Sequence, residues 1–257
     1  MADRFGNEII LPLHFSPIPI KFAEFYFINL FNTLIITMQR VKLFEAAHKG
    51  LRSALSQFSY LLGKCNFNST ADVNKIHSLG KDLCMMLSSH ANDENTIILA
   101  ALESKVPGSS KHDMDDHERL EHDQNAIEKM LDEIKELNSK GEDALGMGAE
   151  LYMKFSKFHG DYLLHTVDEE TDTQRLLWEN FTDPELHMIR GKIIGRFTPD
   201  AFEKWQSYII PAITQSDLLM MMGGMKTNAP EQFTRLLVMA EKFLPADEFT
   251  AIKEKLN

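Results

Sequence analysis

From Val41 onward, apolar residues recur at intervals of three and four with almost no alternating stretches, a period that predicts helices rather than strands. A first helix is predicted from about Gln39 to Leu62, ending at Gly63-Lys64-Cys65-Asn66. Ser69 and Thr70 are good N-cap residues and open a second helix, which ends before Pro107 and Gly108. Ser109 and Ser110 open a third through about Leu137, with Gly141 as the break. A fourth runs from about Glu142 to Asn180, with Gly160 as a point of bending, and Asp183-Pro184 starts a new element. Four long helices with short connections imply an all-α, antiparallel up-down-up-down bundle over residues 39–183.

Past Asp183 the signals shorten: Thr198-Pro199 as cap and first turn, then FEKWQSYII, then QFTRLLVMAEKFL after Pro230. Residues 184–257 therefore read as a C-terminal helical extension packing on the bundle. Met220, Met221, Met222 and Met225 read as adaptable core filling rather than a copper(I) site, because no His or Cys stands beside them.

The start of the chain breaks the pattern. Residues 17–38 are rich in Phe and Ile but interrupted by Lys21, Glu24, Asn29 and Asn32, a poor membrane span without a small-residue cleavage site. The favoured reading places the natural start at Met38 and treats residues 1–38 as an N-terminal extension outside the natural fold; a membrane anchor is the alternative.

Composition narrows the partners. The chain has 257 residues, 44% of them hydrophobic, enough for one sizeable helical domain with appendages. A formal charge of -11 argues against nucleic acid and anionic lipid, which need clustered Lys and Arg. Cys65 and Cys84 form neither a disulfide framework nor a CxxC signature, which fits a reducing, cytoplasmic setting.

Chemistry enters through histidine. Each predicted long helix carries at least one, and His48, His90, His122 and His165 stand out, two of them followed four residues later by Glu94 and Glu169. Positions i and i+4 share a helix face, so each His/Glu pair can point both groups at one ion. In an antiparallel bundle at about 1.5 Å per residue, His48, His122, Glu94 and Glu169 all fall roughly 12 to 17 Å from one end, so one layer can hold them. Imidazole supplies one nitrogen to each metal and a carboxylate can bridge two ions, a donor set that suits iron, manganese or zinc. His117, Glu121 and Asp113 form an adjacent stripe of the third helix and compete with His122 for the inward role, and the apolar series Leu120, Ile127, Met130, Leu131, Ile134 leaves that choice open. His159 lies one and a half turns before His165, nearly on the opposite face, which favours a surface role, and His14, His77, His112 and His187 have no comparable partners.

The stretches HKGLRSAL at His48, HANDENTIILAAL at His90, HDQNAIEKML at His122 and HTVDEETDTQRLLWENFTDPEL at His165 resemble the four ligand-bearing helices of hemerythrin-like (HHE) cation-binding domains. The last two also resemble the iron-sensing hemerythrin-like domain of an F-box ubiquitin-ligase subunit, although nothing here looks like an F-box. The resemblance covers about residues 40 to 190 and favours His122 over His117 through its flanking match. It implies an oxo- or hydroxo-bridged centre of two iron ions, with His48 and His90 on one, His122 and His165 on the other, and Glu94 and Glu169 bridging. The oxygen carriers of this family place a second histidine four residues before the third-helix ligand, where this chain has Glu118. Glu118 and His117 thus stand as further candidate ligands. The iron-sensing relatives carry a carboxylate directly after the second-helix histidine, where this chain has Ala91.

The function this implies is a non-haem di-iron protein that binds or senses oxygen, nitric oxide or iron supply. A di-iron oxidase, peroxidase or iron-donating repair factor would use the same residues, and no separate acid, base or substrate pocket is legible to decide enzyme status. A metal-free helical interaction bundle is the third alternative.

Overall fold

Helices form wherever the three-and-four spacing is long enough to bury one face, and the computed structural model describes them over residues 40–256. The extension read at residues 1–38 lies outside the described residues. From Val41 onward the chain forms one compact unit, with no strand among the described residues.

The first long helix, α1, spans Glu45–Gly63. The second, α2, spans Thr70–Asp93, and Ser69 caps it by accepting a hydrogen bond from the backbone of Asp72. It continues through a π-helical segment at Glu94–Leu99 into α3, Ala100–Lys105. Helix α4 spans Lys111–Ser139. Helix α5 spans Leu145–Asp168, unbroken at Gly160, and passes through a second π-helical segment at Glu169–Thr173 into α6, Gln174–Asn180. Helices α1 and α4 each pack against both α2 and α5. The first helix starts later than the sequence suggests, because residues 40–44 cross as irregular chain, with Val41 and Phe44 buried.

Two apolar clusters occupy this assembly. One contains Leu51, Leu55 and Phe58 of α1, Leu83 and Leu87 of α2, Leu120 and Ile127 of α4, and Phe155, Phe158 and Tyr162 of α5. The other contains Phe44, Ile97, Ile98, Leu102, Leu177 and Phe181. Along three of the four long segments the His and Glu candidates fall between these clusters: His48 between Phe44 and Leu51, His90 and Glu94 between Leu87 and Ile97, His165 and Glu169 between Tyr162 and Leu177.

The remaining helices are α7, Asp183–Ile194, and α8, Pro199–Ile209, which opens on Thr198 as cap with Pro199 in the first turn. Helix α8 packs on α1, where a Cβ on Gly50 would stand only 2.9 Å from the Ile209 side chain. This close approach brings Trp205 into the first cluster. Helices α9 (Gln215–Asn228), α10 (Pro230–Phe243) and α11 (Ala246–Leu256) close around a third cluster of Ile210, Leu218, Met222, Leu236, Ala240, Phe249 and Ile252. Met222 is buried there with Met221 and Met225 against it, as core filling requires, whereas Met220 is 51% exposed and takes no part. No helix among the described residues is long and apolar enough to cross a membrane.

Candidate metal centre

Six helical segments converge on one buried cluster. His48 comes from the first turn of α1, His90 from the last turn of α2, His117 from the second turn of α4, and His165 from the last turn of α5. Glu94 and Glu169 are each the first residue of a π-helical segment. A π turn inserts an extra residue into the helix and is found preferentially at functional sites. Here it lets the glutamate face the cluster while Ile97 and Ile98, or Leu177, still reach the second apolar layer.

The contacts form two halves joined by the carboxylates. His48 Nε2 lies 3.0 Å from His90 Nε2 and 3.4 Å from Glu94 Oε1, and His90 Nε2 is 3.0 Å from the same oxygen. The other oxygen, Glu94 Oε2, lies 3.4 Å from His117 Nε2. Glu169 turns Oε1 to His117 Nε2 at 3.4 Å and Oε2 to His48 and His165, each at 3.3 Å. The His117 and His165 rings stand edge to face with centroids 4.7 Å apart. Two ligand sets result, His48, His90, Glu94 and Glu169 in one and His117, His165 and Glu169 in the other.

These residues fit metal ions. Glu94 and Glu169 are 1% and 0% exposed, and none of their four oxygens, nor His117 Nε2, has a hydrogen-bond partner among the described residues. A buried carboxylate without partners is costly, whereas a cation between it and the imidazoles satisfies both. The spacing agrees, since two ligand atoms each about 2.1 Å from an octahedral metal and at right angles lie about 3.0 Å apart.

The electrostatics are those of tightly opposed charges. Burial alone would push the Glu94 carboxyl up, but His90, His117 and His48 hold it well below the usual range. Burial and the Glu94 charge oppose ionisation of Glu169, yet His117 and His48 pull it down to about 2. Burial disfavours charge on His48 and His117, but the surrounding glutamates raise both, His117 to about 10. Burial keeps His165 below its ordinary value. Protons and metal ions therefore compete for the same nitrogens.

The outward nitrogens of His48 and His117 are held by hydrogen bonds, and that of His165 is not. His48 Nδ1 is 3.0 Å from Glu170 Oε1, and Arg52 pairs with that carboxylate at 2.8 Å while bonding Thr166 Oγ1 at 2.9 Å. His117 Nδ1 is 2.8 Å from Asn95 Oδ1, and His165 Nδ1 faces Asp116 Oδ2 at 3.6 Å. When Nδ1 donates to Glu170 and Asn95, Nε2 is left as a lone pair directed at the cluster. Trp205 covers His90 at a centroid distance of 6.0 Å.

His122 does not join. Its side chain is 84% exposed beside Asp123, on the far side of α4, and His117 occupies the inward position. The buried residues of α4 are Asp113, His117, Leu120, Gln124, Ile127, Leu131 and Ile134, an unbroken alternation of four and three that His122 falls outside. Glu118 and Glu121 are exposed on the same helix. With the register set by His117, the place four residues earlier holds Asp113, not Glu118. Asp113 is buried and accepts a 2.6 Å hydrogen bond from Thr173, and burial pushes its carboxyl up to about 6. His77 pairs with Asp132 at 2.7 Å, His112 and His187 are exposed, His159 is half-buried against Phe155, and His14 lies outside the described residues. Sequence reasoning also missed Glu170, Asn95 and Asp116, whose role depends on how the helices meet.

A cleft of about 430 Å³ between α2 and α4 leads from the surface to His117 and Tyr162, past Ala91, Asn95, Glu118 and Glu121. Tyr162 is buried, and burial together with Glu94 and Glu169 raises its hydroxyl well above the usual value.

Over residues 39–177, more than half its length, the chain matches the hemerythrin HHE cation binding domain. It belongs to that family. No match was found among curated proteins or among solved structures. The matched span contains all six clustered residues, so the cation-binding character of the HHE domain and the buried His/Glu cluster coincide.

Proposed function

We propose that this HHE domain holds two metal ions, most suitably iron with manganese or zinc as substitutes, and that it binds or senses oxygen, nitric oxide or iron supply. The observation that carries this reading is that each glutamate spans the two histidine pairs: Glu94 and Glu169 both turn one oxygen to His48 and the other to His117. In this reading the six ligands are His48, His90, Glu94, His117, His165 and Glu169, carried by the antiparallel four-helix bundle expected from the sequence. Iron so held would supply redox chemistry and open positions for a diatomic ligand. The chain's own residues orient the imidazoles through Glu170 and Asn95, exclude bulk water with the apolar layers above and below, and admit small molecules along the cleft to His117. The burial of Tyr162 beside that cleft supports an oxidase or peroxidase as second reading, because a phenol there can give up an electron and a proton. The resemblance to an iron-sensing F-box subunit loses one support, since HDQNAIEKML carries its histidine outward.

Exposure of the iron-loaded, reduced chain to nitric oxide tests the reading. A new electron paramagnetic resonance signal that is absent in His90→Ala is expected; an unchanged spectrum would count against a ligand-binding centre.

A further inference from the structure

Helix α4 presents two neighbouring i,i+4 pairs offset by one residue: Asp113 and His117 face inward, while His112 and Asp116 face outward. Across from the outer pair stands Asp168, the residue before Glu169. His112, Asp116 and Asp168 each offer a ligand atom, and the three lie within 4.8 Å of one another. His112 Nε2 and Asp168 Oδ2 are 3.9 Å apart. Arg119 takes one oxygen of Asp116 at 3.1 Å, leaving Oδ2 turned toward the centre.

A second observation points the same way. His165 is 2% exposed, and its Nδ1 has no hydrogen-bond partner among the described residues but points at Asp116 Oδ2 across 3.6 Å. The same imidazole directs Nε2 at Glu169, so a single ring separates the outer trio from the buried ligands.

We propose that His112, Asp116 and Asp168 form an outer, weaker site for a hydrated divalent transition-metal cation and load the buried centre from it. The inference rests on the di-metal reading only for its second half, the loading. The chemistry suits transient capture: one imidazole and two carboxylates hold such an ion, but solvent exposure and the Arg119 charge keep the hold loose. The chain's net charge of -11 raises the cation concentration near its surface. The ion exchanges water for Asp116 and His112, then exchanges these for the inner nitrogens and oxygens, with no electron transfer.

The test uses the full chain stripped of metal, compared with His112→Ala and His112→Ala/Asp168→Asn, whose changes lie on exposed side chains and leave the helical circular dichroism intact. Titration with Mn2+ followed by electron paramagnetic resonance should show an additional weak equivalent in the wild type that both variants lose. Stopped-flow loading with Zn2+ at limiting concentration should be about tenfold slower in the variants, with the final buried stoichiometry unchanged. A wild type without the weak equivalent, or variants that load at the wild-type rate, would overturn the proposal. A weak equivalent that His112→Ala abolishes in a chain that never fills its buried cluster would leave the outer site standing and defeat the di-metal reading instead.

Discussion

His48 and His90 face each other through their Nε2 atoms at 3.0 Å, with Glu94 Oε1 within 3.4 Å of both. In the metal-free chain one Nε2 carries a proton and donates it to the other, and the arrangement suits a shared cation once both nitrogens present lone pairs. Their outward contacts differ: Glu170 holds His48, whereas Trp205 covers His90.

Glu170→Gln should weaken metal binding about 10- to 100-fold, the usual cost of losing the carboxylate behind a ligating histidine. Its partner Arg52 would keep Thr166 but lose the ion pair that fixes Glu170. Competition with a chromophoric chelator gives the affinity, and a change below about twofold would mean that Glu170 does not position His48.

Trp205 should report occupancy of the His48/His90 half. It packs against His90, while the other tryptophan, Trp178, donates its indole N–H to the Val41 carbonyl and belongs to the second apolar cluster. Metal loading is expected to change intrinsic fluorescence, Trp205→Phe to remove most of that change, and Trp178→Phe to leave it. The reverse assignment would contradict the packing of α8 over the centre.

Asp113 makes the metal-stripped protein sensitive to pH. Its folded carboxyl is raised from 3.8 to about 6 by burial, so the protonated form is favoured in the fold. Its contribution to stability is then complete below pH 3.8 and is lost as pH rises through about 6. Asp113→Asn resembles the protonated acid and should stabilise the stripped chain at pH 8 by about 1 to 2 kcal/mol after allowance for solvent screening, with little difference near pH 4. Urea midpoints at both pH values give the comparison, and a variant less stable than wild type at pH 8 would contradict it.

Much of this was legible in the chain. Ser69, Thr198 and Pro199 mark helix starts through capping chemistry that acts within a few residues, and such signals survive without tertiary context. His90 with Glu94 and His165 with Glu169 stand out because i,i+4 spacing is a property of a single helix, and His48 because it is the one histidine of the first helix. His117 is a harder case: steps of seven from Leu131 reach it only through the polar Gln124, and Met130 beside the buried stripe blurs the period. Flanking similarity then drew the choice to the exposed His122. The π-helical turns at Glu94 and Glu169 left no signal, since they arise from the fit of one helix against others. Glu170, Asn95 and Asp116 are likewise products of packing.

Metal content per chain tests the central claim most directly. Elemental analysis after anaerobic iron reconstitution and desalting should give two metal ions per chain for wild type and for His122→Ala, and one or fewer for His117→Ala. A wild type that retains no more than one ion, or a His117→Ala chain that still retains two, would contradict the account.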